Sequence, residues 1–386
     1  MISATALELP VTGGGLETYT LRGVSAWPER ADPPRSRVAF AAAHVVADAR
    51  ADVNPWLESA VDWDATLAYR HHLWDLGLSV AEAMDTAQRG MGLDWNASRE
   101  LIRRSLAAAR ERGVLDRIAC GAGTDQLAAG TKYTIDQVLA AYEEQCAVVE
   151  EHAGRIILMA SRALAACARD ADDYVRVYDH ILSQVRQPVI IHWLGDMFDP
   201  ALVGYWGSLD ISHAMRTCLE IIDAHRSRVD GVKISLLDAE QEVLMRQRLP
   251  PGVRMYTGDD YNYPELIESG SDALLGILDG IAPAAAAALT ALDLGDAERY
   301  HAVFSLTVPL ARHIFAAPTR FYNTGVVFLA YLNGHQSHFR MVGGQESARS
   351  VVHLSEIFRL ADQAGLLRDP ELAVARMRLV LALSGF

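Results

Sequence analysis

Eight short apolar runs, spaced roughly 20–45 residues apart, constrain the fold of this 386-residue chain more than any other feature. They are "RVAFAAA" (37–43), "SVAEAMDT" (79–86), "RIACGAG" (117–123), "RIILMAS" (155–161), "QPVIIHW" (187–193), "DGVKISLL" (230–237), "VRMYTG" (253–258) and "DALLGIL" (272–278). Most are too short for helices, lack polar alternation, and end in Gly, Asp, Ser or His. Such runs suit strands of a parallel sheet covered on both faces.

The intervals carry helical patterns. "ASRELIRRSLAAARERG" repeats apolar residues at three- and four-residue steps and ends in Gly. "TIDQVLAAYEEQCAVVEEHAG" opens on Thr134 as an N-cap, with Asp136 in the first turn. Eight β–α alternations predict an α/β fold, a (β/α)8 TIM barrel; a doubly wound open sheet is the second choice because it usually has fewer strands. The expected divisions are an N-terminal segment over 1–36, the barrel over 37–283, and a helical extension over 284–386 packed on the barrel. No long Pro/Gly/Ser linker separates the last two.

Composition narrows the function class. A net charge of −14 argues against nucleic-acid and anionic-membrane partners. No apolar run approaches the roughly 18–20 residues of a membrane span, and "MISATALELPVTGGG" lacks the pattern of a secretory leader. Four scattered cysteines, without CxxC spacing, fit a reducing compartment. A cytoplasmic location is the expectation.

Only two lysines occur, Lys132 and Lys233, against 33 arginines among the 35 basic residues. Lys132 falls in an ordinary loop pattern, "AAGTKYTID". Lys233 instead sits inside the sixth apolar run, where alternation puts Gly231, Lys233 and Ser235 on one face. A buried ammonium must pair with an acid or lose its proton. The paired alternative would use Asp259 or Asp196. A lysine with a lowered pKa is an amine nucleophile able to form a Schiff base with a ketone, which arginine cannot do.

Several segments, in order, resemble the dihydrodipicolinate synthase / N-acetylneuraminate lyase family of class I aldolases. "RIACGAGTDQ" resembles that family's strand ending in a G-T-G or G-A-G turn, and "YVRVYDHILSQVRQPVIIHW" its helix followed by PVILYN. "DGVKIS" resembles the GIK motif of strand six, with Lys233 at the Schiff-base lysine. "YTGDDYNYPELIESGSDALLGILDGIAP" resembles the following SGDD section. The likeness runs over about residues 37–300. It implies a barrel, a homo-oligomer (dimer or tetramer), no cofactor or metal, and lyase chemistry on a 2-keto acid or related carbonyl compound.

The departures from that pattern bear on the site. The family's GTTGE loop appears as Asp85-Thr86-Ala87-Gln88-Arg89, and no tyrosine follows strand four, where Met159, Ala160 and Ser161 stand. Candidate catalytic residues are therefore Lys233, His192 as acid/base, and Tyr256 from the loop that also carries Tyr261 and Tyr263. Candidate substrate-binding residues are Thr86, Arg89, Ser161, Asp259 and Asp260, with Arg89 suited to a bidentate carboxylate contact.

Two other readings stand beside this one. A metal-dependent sugar isomerase or hydrolase would use His192, Asp196, Asp259 and Asp260 as ligands. A non-catalytic barrel would bind a metabolite. The polar stretch 333–347 offers His335 and His338 at i,i+3 spacing, suited to a metal if a carboxylate joined them. It could otherwise close the mouth of the site, with His338 or Arg340 on the substrate.

Overall fold

The computed structural model describes residues 6–22 and 27–386; the first five residues of the stretch read for a leader lie outside them. Strands β1 (Ala6–Pro10) and β2 (Leu16–Thr20) form an antiparallel hairpin. Each of the eight apolar runs supplies one barrel strand: β3 (Ala39–Ala42), β4 (Ser79–Glu82), β5 (Ile118–Ala122), β6 (Arg155–Leu158), β7 (Val189–Leu194), β8 (Val229–Ser235), β9 (Arg254–Thr257) and β10 (Asp272–Leu275). They are parallel and close on themselves, with β10 pairing β3.

Alternation along these strands decides what fills the barrel. Phe40, Ala81, Ala119, Ile157, Ile190, Tyr256 and Leu274 pack together as an interior cluster, separate from the larger core between strands and helices. The helices begin where the sequence supplies caps. The Asp94 side chain accepts from Ala97 N–H, and Thr134 and Gln137 form a reciprocal capping box.

A buried ion pair ties the end of β4 to the helix Trp63–Asp75. Arg70 donates Nε and Nη2 to the two oxygens of Glu82 at 2.8 Å each, and both side chains are fully buried. Arg70 also donates to the His44 and Thr66 carbonyls. This completes the hydrogen bonding that a buried guanidinium needs. Immediately after Glu82, Ala83 takes a left-handed φ of 52°. The chain therefore turns sharply into the short helical turn Asp85–Ala87 over the barrel mouth.

The C-terminal helices pack against the barrel and the hairpin. Tyr19 donates to Asp362, and Arg378 to the Ala6 carbonyl. The helix Tyr322–Leu332 is buried along its whole length. Among the described residues, no helix is long and apolar enough to cross a membrane.

Candidate active site

Lys233 lies in β8, between His192 of β7 and Tyr256 of β9 in the strand register. Its side chain is buried, and burial holds the amine below the ordinary lysine range while the Asp85 and Asp260 carboxylates push it back up. No described residue makes a hydrogen bond or ion pair to it within 4 Å. The space it occupies depends on Gly258: a Cβ there would stand 2.8 Å from Lys233 Cε and 2.6 Å from the Ile234 carbonyl, and would collide with Ser235 Oγ. The glycine of "TGDD" thus permits the lysine side chain to lie across the neighbouring strand end.

The acids around it come from two loops. Asp260, buried after β9, accepts from Ile277 N–H at 2.8 Å; burial pushes its carboxyl up to about 7, opposed by that hydrogen bond and by Lys233. Asp85 leads the turn after β4, and burial raises its carboxyl while Lys233 pulls it down. His192 is fully buried, with Nε2 at 3.5 Å from Ser235 Oγ and Nδ1 at 4.0 Å from Asp85 Oδ2. Its Nδ1 has no hydrogen-bond partner among the described residues. Burial first, and Lys233 second, hold this imidazole well below its usual pKa, so it is neutral.

A cavity of about 480 Å³ opens over the strand ends, lined by Asp85, Arg89, Thr124, Asp125, Arg162, His192 and Asp199 among others. This is the end of a (β/α)8 barrel where side chains from several strands converge. Arg89 lines it but is fully engaged. It donates to Asp125 at 2.7 Å, to the Gly121 and Ala83 carbonyls, and to Gln145. Arg162 stands at the rim, its Nε bonded to Asp199 and its Nη1 lying over Gly90, where a Cβ would approach to 2.6 Å.

The C-terminal helices pack against the turn that bears Asp85. Tyr322 OH lies 2.8 Å from Thr86 Oγ1, and Asn323 Nδ2 donates to the Asp85 carbonyl at 3.1 Å. The Tyr322 ring stacks on Phe315 at 4.4 Å, with Phe198 edge-on to both. Gly276 leaves room for it, since a Cβ would fall 3.0 Å from the Tyr322 ring. Burial, and then the Asp85 charge, drive the phenol well above its ordinary pKa, so it holds its proton.

Other expected site residues are placed elsewhere or already committed. The Tyr256 phenol donates to Asp230 at 2.6 Å, and Asp230 pairs with Arg155, the first residue of β6. That puts the hydroxyl at the opposite end of the barrel from the cavity. Tyr261 donates to the Phe315 carbonyl, and Tyr263 pairs with Thr307. Asp259 accepts from Tyr261 N–H, Asn262 N–H and Asn262 Nδ2, so it shapes its own loop. Ser161 caps the helix Arg162–Cys167 and bonds Thr124 Oγ1 at 2.5 Å, positioning Arg162.

Asp196 is exposed. Among the described residues no three His, Cys, Asp or Glu side chains converge as a metal-binding group, which leaves the ligand set His192, Asp196, Asp259 and Asp260 unassembled. His335 packs on His72 and Tyr69 beside a second cavity, of about 350 Å³. Arg340 pairs with Glu346.

Sequence reasoning gave no role to Asp85, Arg162 or Tyr322. Asp85 was visible inside the departure from the GTTGE pattern. No pattern marks Tyr322, which comes from outside the barrel.

Among solved structures, the fold matches dihydrodipicolinate synthase from Aquifex aeolicus with a TM-score of 0.64 at 13% identity, covering 86% of this chain and 99% of that one. The enzyme from Thermotoga maritima matches with a TM-score of 0.61 at 14% identity, covering 86% and 100%. A prophage protein of the dihydrodipicolinic acid synthase family from E. coli K12, solved with pyruvate, matches with 0.63 at 14%, covering 90% and 98%. No curated protein matches by sequence. The profile of the family described as "Protein of unknown function (DUF993)" matches residues 7–386. The chain therefore belongs to the DUF993 family and shares the fold of the dihydrodipicolinate synthase structures.

Proposed function

We propose that this protein is a lyase that forms a Schiff base between Lys233 and a small carbonyl compound. The observation that carries the reading is a buried amine paired in the strand register with His192, a residue of the cavity wall, and acted on by the Asp85 and Asp260 carboxylates. Burial works against the charges of both Lys233 and Asp260, which favours the neutral amine and the protonated carboxyl.

The neutral amine attacks the carbonyl carbon and forms a C–N bond. The former carbonyl oxygen gains two protons and leaves as water, giving the iminium. In aldol cleavage the bond between the α and β carbons breaks. Its electron pair moves toward the iminium nitrogen, giving an enamine, while the β-hydroxyl loses its proton to a base. Protonation of the enamine carbon and hydrolysis return the free lysine.

Thr86 and Tyr322 form the hydrogen-bonded pair best disposed to carry these protons, and His192 is a second carrier. Tyr322 then takes the role of the tyrosine that is missing after β6, where Met159, Ala160 and Ser161 stand. Thr86 serves as a relay instead of a carboxylate clamp, and Arg89 acts by fixing the Asp125 loop. Asp260 receives the lysine proton. Arg162, at the rim, meets the distal end of the substrate.

Borohydride trapping tests the reading. The full chain is incubated with pyruvate, 2-keto-3-deoxy sugar acids and ketoses, reduced, and mapped by peptide mass spectrometry. An adduct on Lys233 and not on Lys132, lost in Lys233→Arg, is expected. Folded protein that yields no Lys233 adduct with any of them would reject it.

A further inference from the structure

Asp85 brings a carboxylate within electrostatic reach of Lys233. It opens the turn after β4, lines the cavity, and stands 4.0 Å from His192 Nδ1. In a 2-keto acid the carboxylate is attached directly to the carbon that an amine attacks. Bound to Lys233, such a substrate would bring a second negative charge to this corner of the site.

The cations lining the cavity are already answered. Arg89 is held by Asp125, Gln145 and two backbone carbonyls, with its side chain only 1% exposed. Arg162 is paired with Asp199 and faces the rim. Lys233 must itself be neutral to attack. The reacting corner then holds two acids, Asp85 and Asp260, and no cation free to meet an α-carboxylate. Like charges brought together in a poorly solvated site disfavour binding.

The same groups suit hydroxyls. A carboxylate accepts from a hydroxyl, and the buried His192 Nδ1, unpartnered among the described residues, can donate to or accept from one according to its tautomer. A site that presents such groups rejects a substrate that leaves them unpaired.

We infer that the Lys233 site selects a neutral hydroxylated carbonyl compound, a hydroxyketone or ketose, over a 2-keto acid, with Asp85 and His192 holding the hydroxyl beside the carbonyl. This inference rests on the Schiff-base reading and narrows its substrate class. Asp85 is a specificity-determining residue, and its charge is the discriminating element. The reaction it implies cleaves or forms a carbon–carbon bond next to a ketose-type carbonyl, with no carboxylate adjacent to that carbon.

The test uses the full chain with dihydroxyacetone, hydroxyacetone and pyruvate at equal concentration, under borohydride. Adducts at Lys233 are quantified against those formed by a free lysine peptide in the same tube, which corrects for intrinsic carbonyl reactivity. The expected result is at least a tenfold preference for the hydroxyketones, with Asp85→Asn reducing that preference about tenfold. Asp85→Asn changes the charge with little change in shape, and circular dichroism checks its fold. Equal or better trapping of pyruvate by the natural sequence overturns the inference while leaving Schiff-base chemistry intact. A hydroxyketone preference unchanged in folded Asp85→Asn overturns the role of Asp85. No Lys233 adduct with any of the three removes the Schiff-base reading and this inference with it.

Discussion

The Thr86 hydroxyl meets the Tyr322 phenol at 2.8 Å, across 236 residues of sequence. One partner belongs to the turn after the second barrel strand, and the other to the helix Tyr322–Leu332 of the C-terminal extension. The extension therefore packs on the turn that carries Asp85, a residue of the cavity wall. Its neighbour Asn323 fixes the same turn from the other side through the Asp85 carbonyl.

Tyr322→Phe keeps the ring that stacks on Phe315 and removes only the proton donor. Once a turnover assay is in hand, kcat is expected to fall by about 10²-fold, the lower end of what a positioned acid/base supplies. Hydroxyketone trapping on Lys233 should persist. Steady-state kinetics paired with borohydride trapping separates the two steps. Equal loss of both would reduce Tyr322 to a packing role.

Gly258→Ala places a methyl group against Lys233 Cε, Ser235 Oγ and the Ile234 carbonyl. Backbone on one side and a strand end on the other leave little room to yield. A stability loss of about 1–3 kcal/mol is expected from the overpacking. Lys233 trapping should fall further than stability does, because the displaced atom adjoins the nucleophile. Urea unfolding and adduct yield on the folded variant check both; an unchanged yield would contradict the placement of the lysine.

The pH dependence of trapping follows from the direction of the Lys233 shift. The folded amine loses its proton below the usual 10.5. Adduct formation should rise with pH and level off before a free lysine peptide does. A coincident rise for the protein and the peptide would mean that burial does not act on this amine. The sign for stability is positive in the same window. Between the folded pKa and 10.5 the unfolded chain binds more protons, so Lys233 makes stability increase with pH there.

Glu242 gives the opposite slope at lower pH. It is buried, accepts from Ser271 Oγ at 2.7 Å, and is pushed up from 4.5 to about 7 by burial. Its folded pKa lies above the unfolded one, so its contribution is complete below 4.5 and is lost as pH rises through 7. Relative to Glu242→Gln, the natural chain should lose roughly 3 kcal/mol between pH 4 and pH 8, at about 1.4 kcal/mol per unit. Denaturant titrations of both chains at the two pH values measure this. Parallel profiles would show that the carboxyl ionises freely in the fold.

The eight apolar runs and the caps between them determined the strands and helices of the β–α alternation, because strand and helix periodicities are local properties of the chain. Alternation within "DGVKIS" also determined that Lys233, with Gly231 and Ser235, faces the interior. Register and closure were beyond local pattern, and they decided the rest. The pleat puts Tyr256 in the interior as well, yet its phenol runs toward the strand beginnings and Asp230, which only the tilt of neighbouring strands sets. Arg89 has the charge to grip a carboxylate, but Asp125 and Gln145, 36 and 56 residues away, occupy its nitrogens first. The acid beside Lys233 was expected from Asp259 or Asp196. The acids that act on it are Asp260 and Asp85, because Asp259 turns back to cap its own loop. Tyr322 enters from a helix whose sequence reads only as buried. Which side chains share a site is a property of chain closure, and the spacing of residues along one strand carries no record of it.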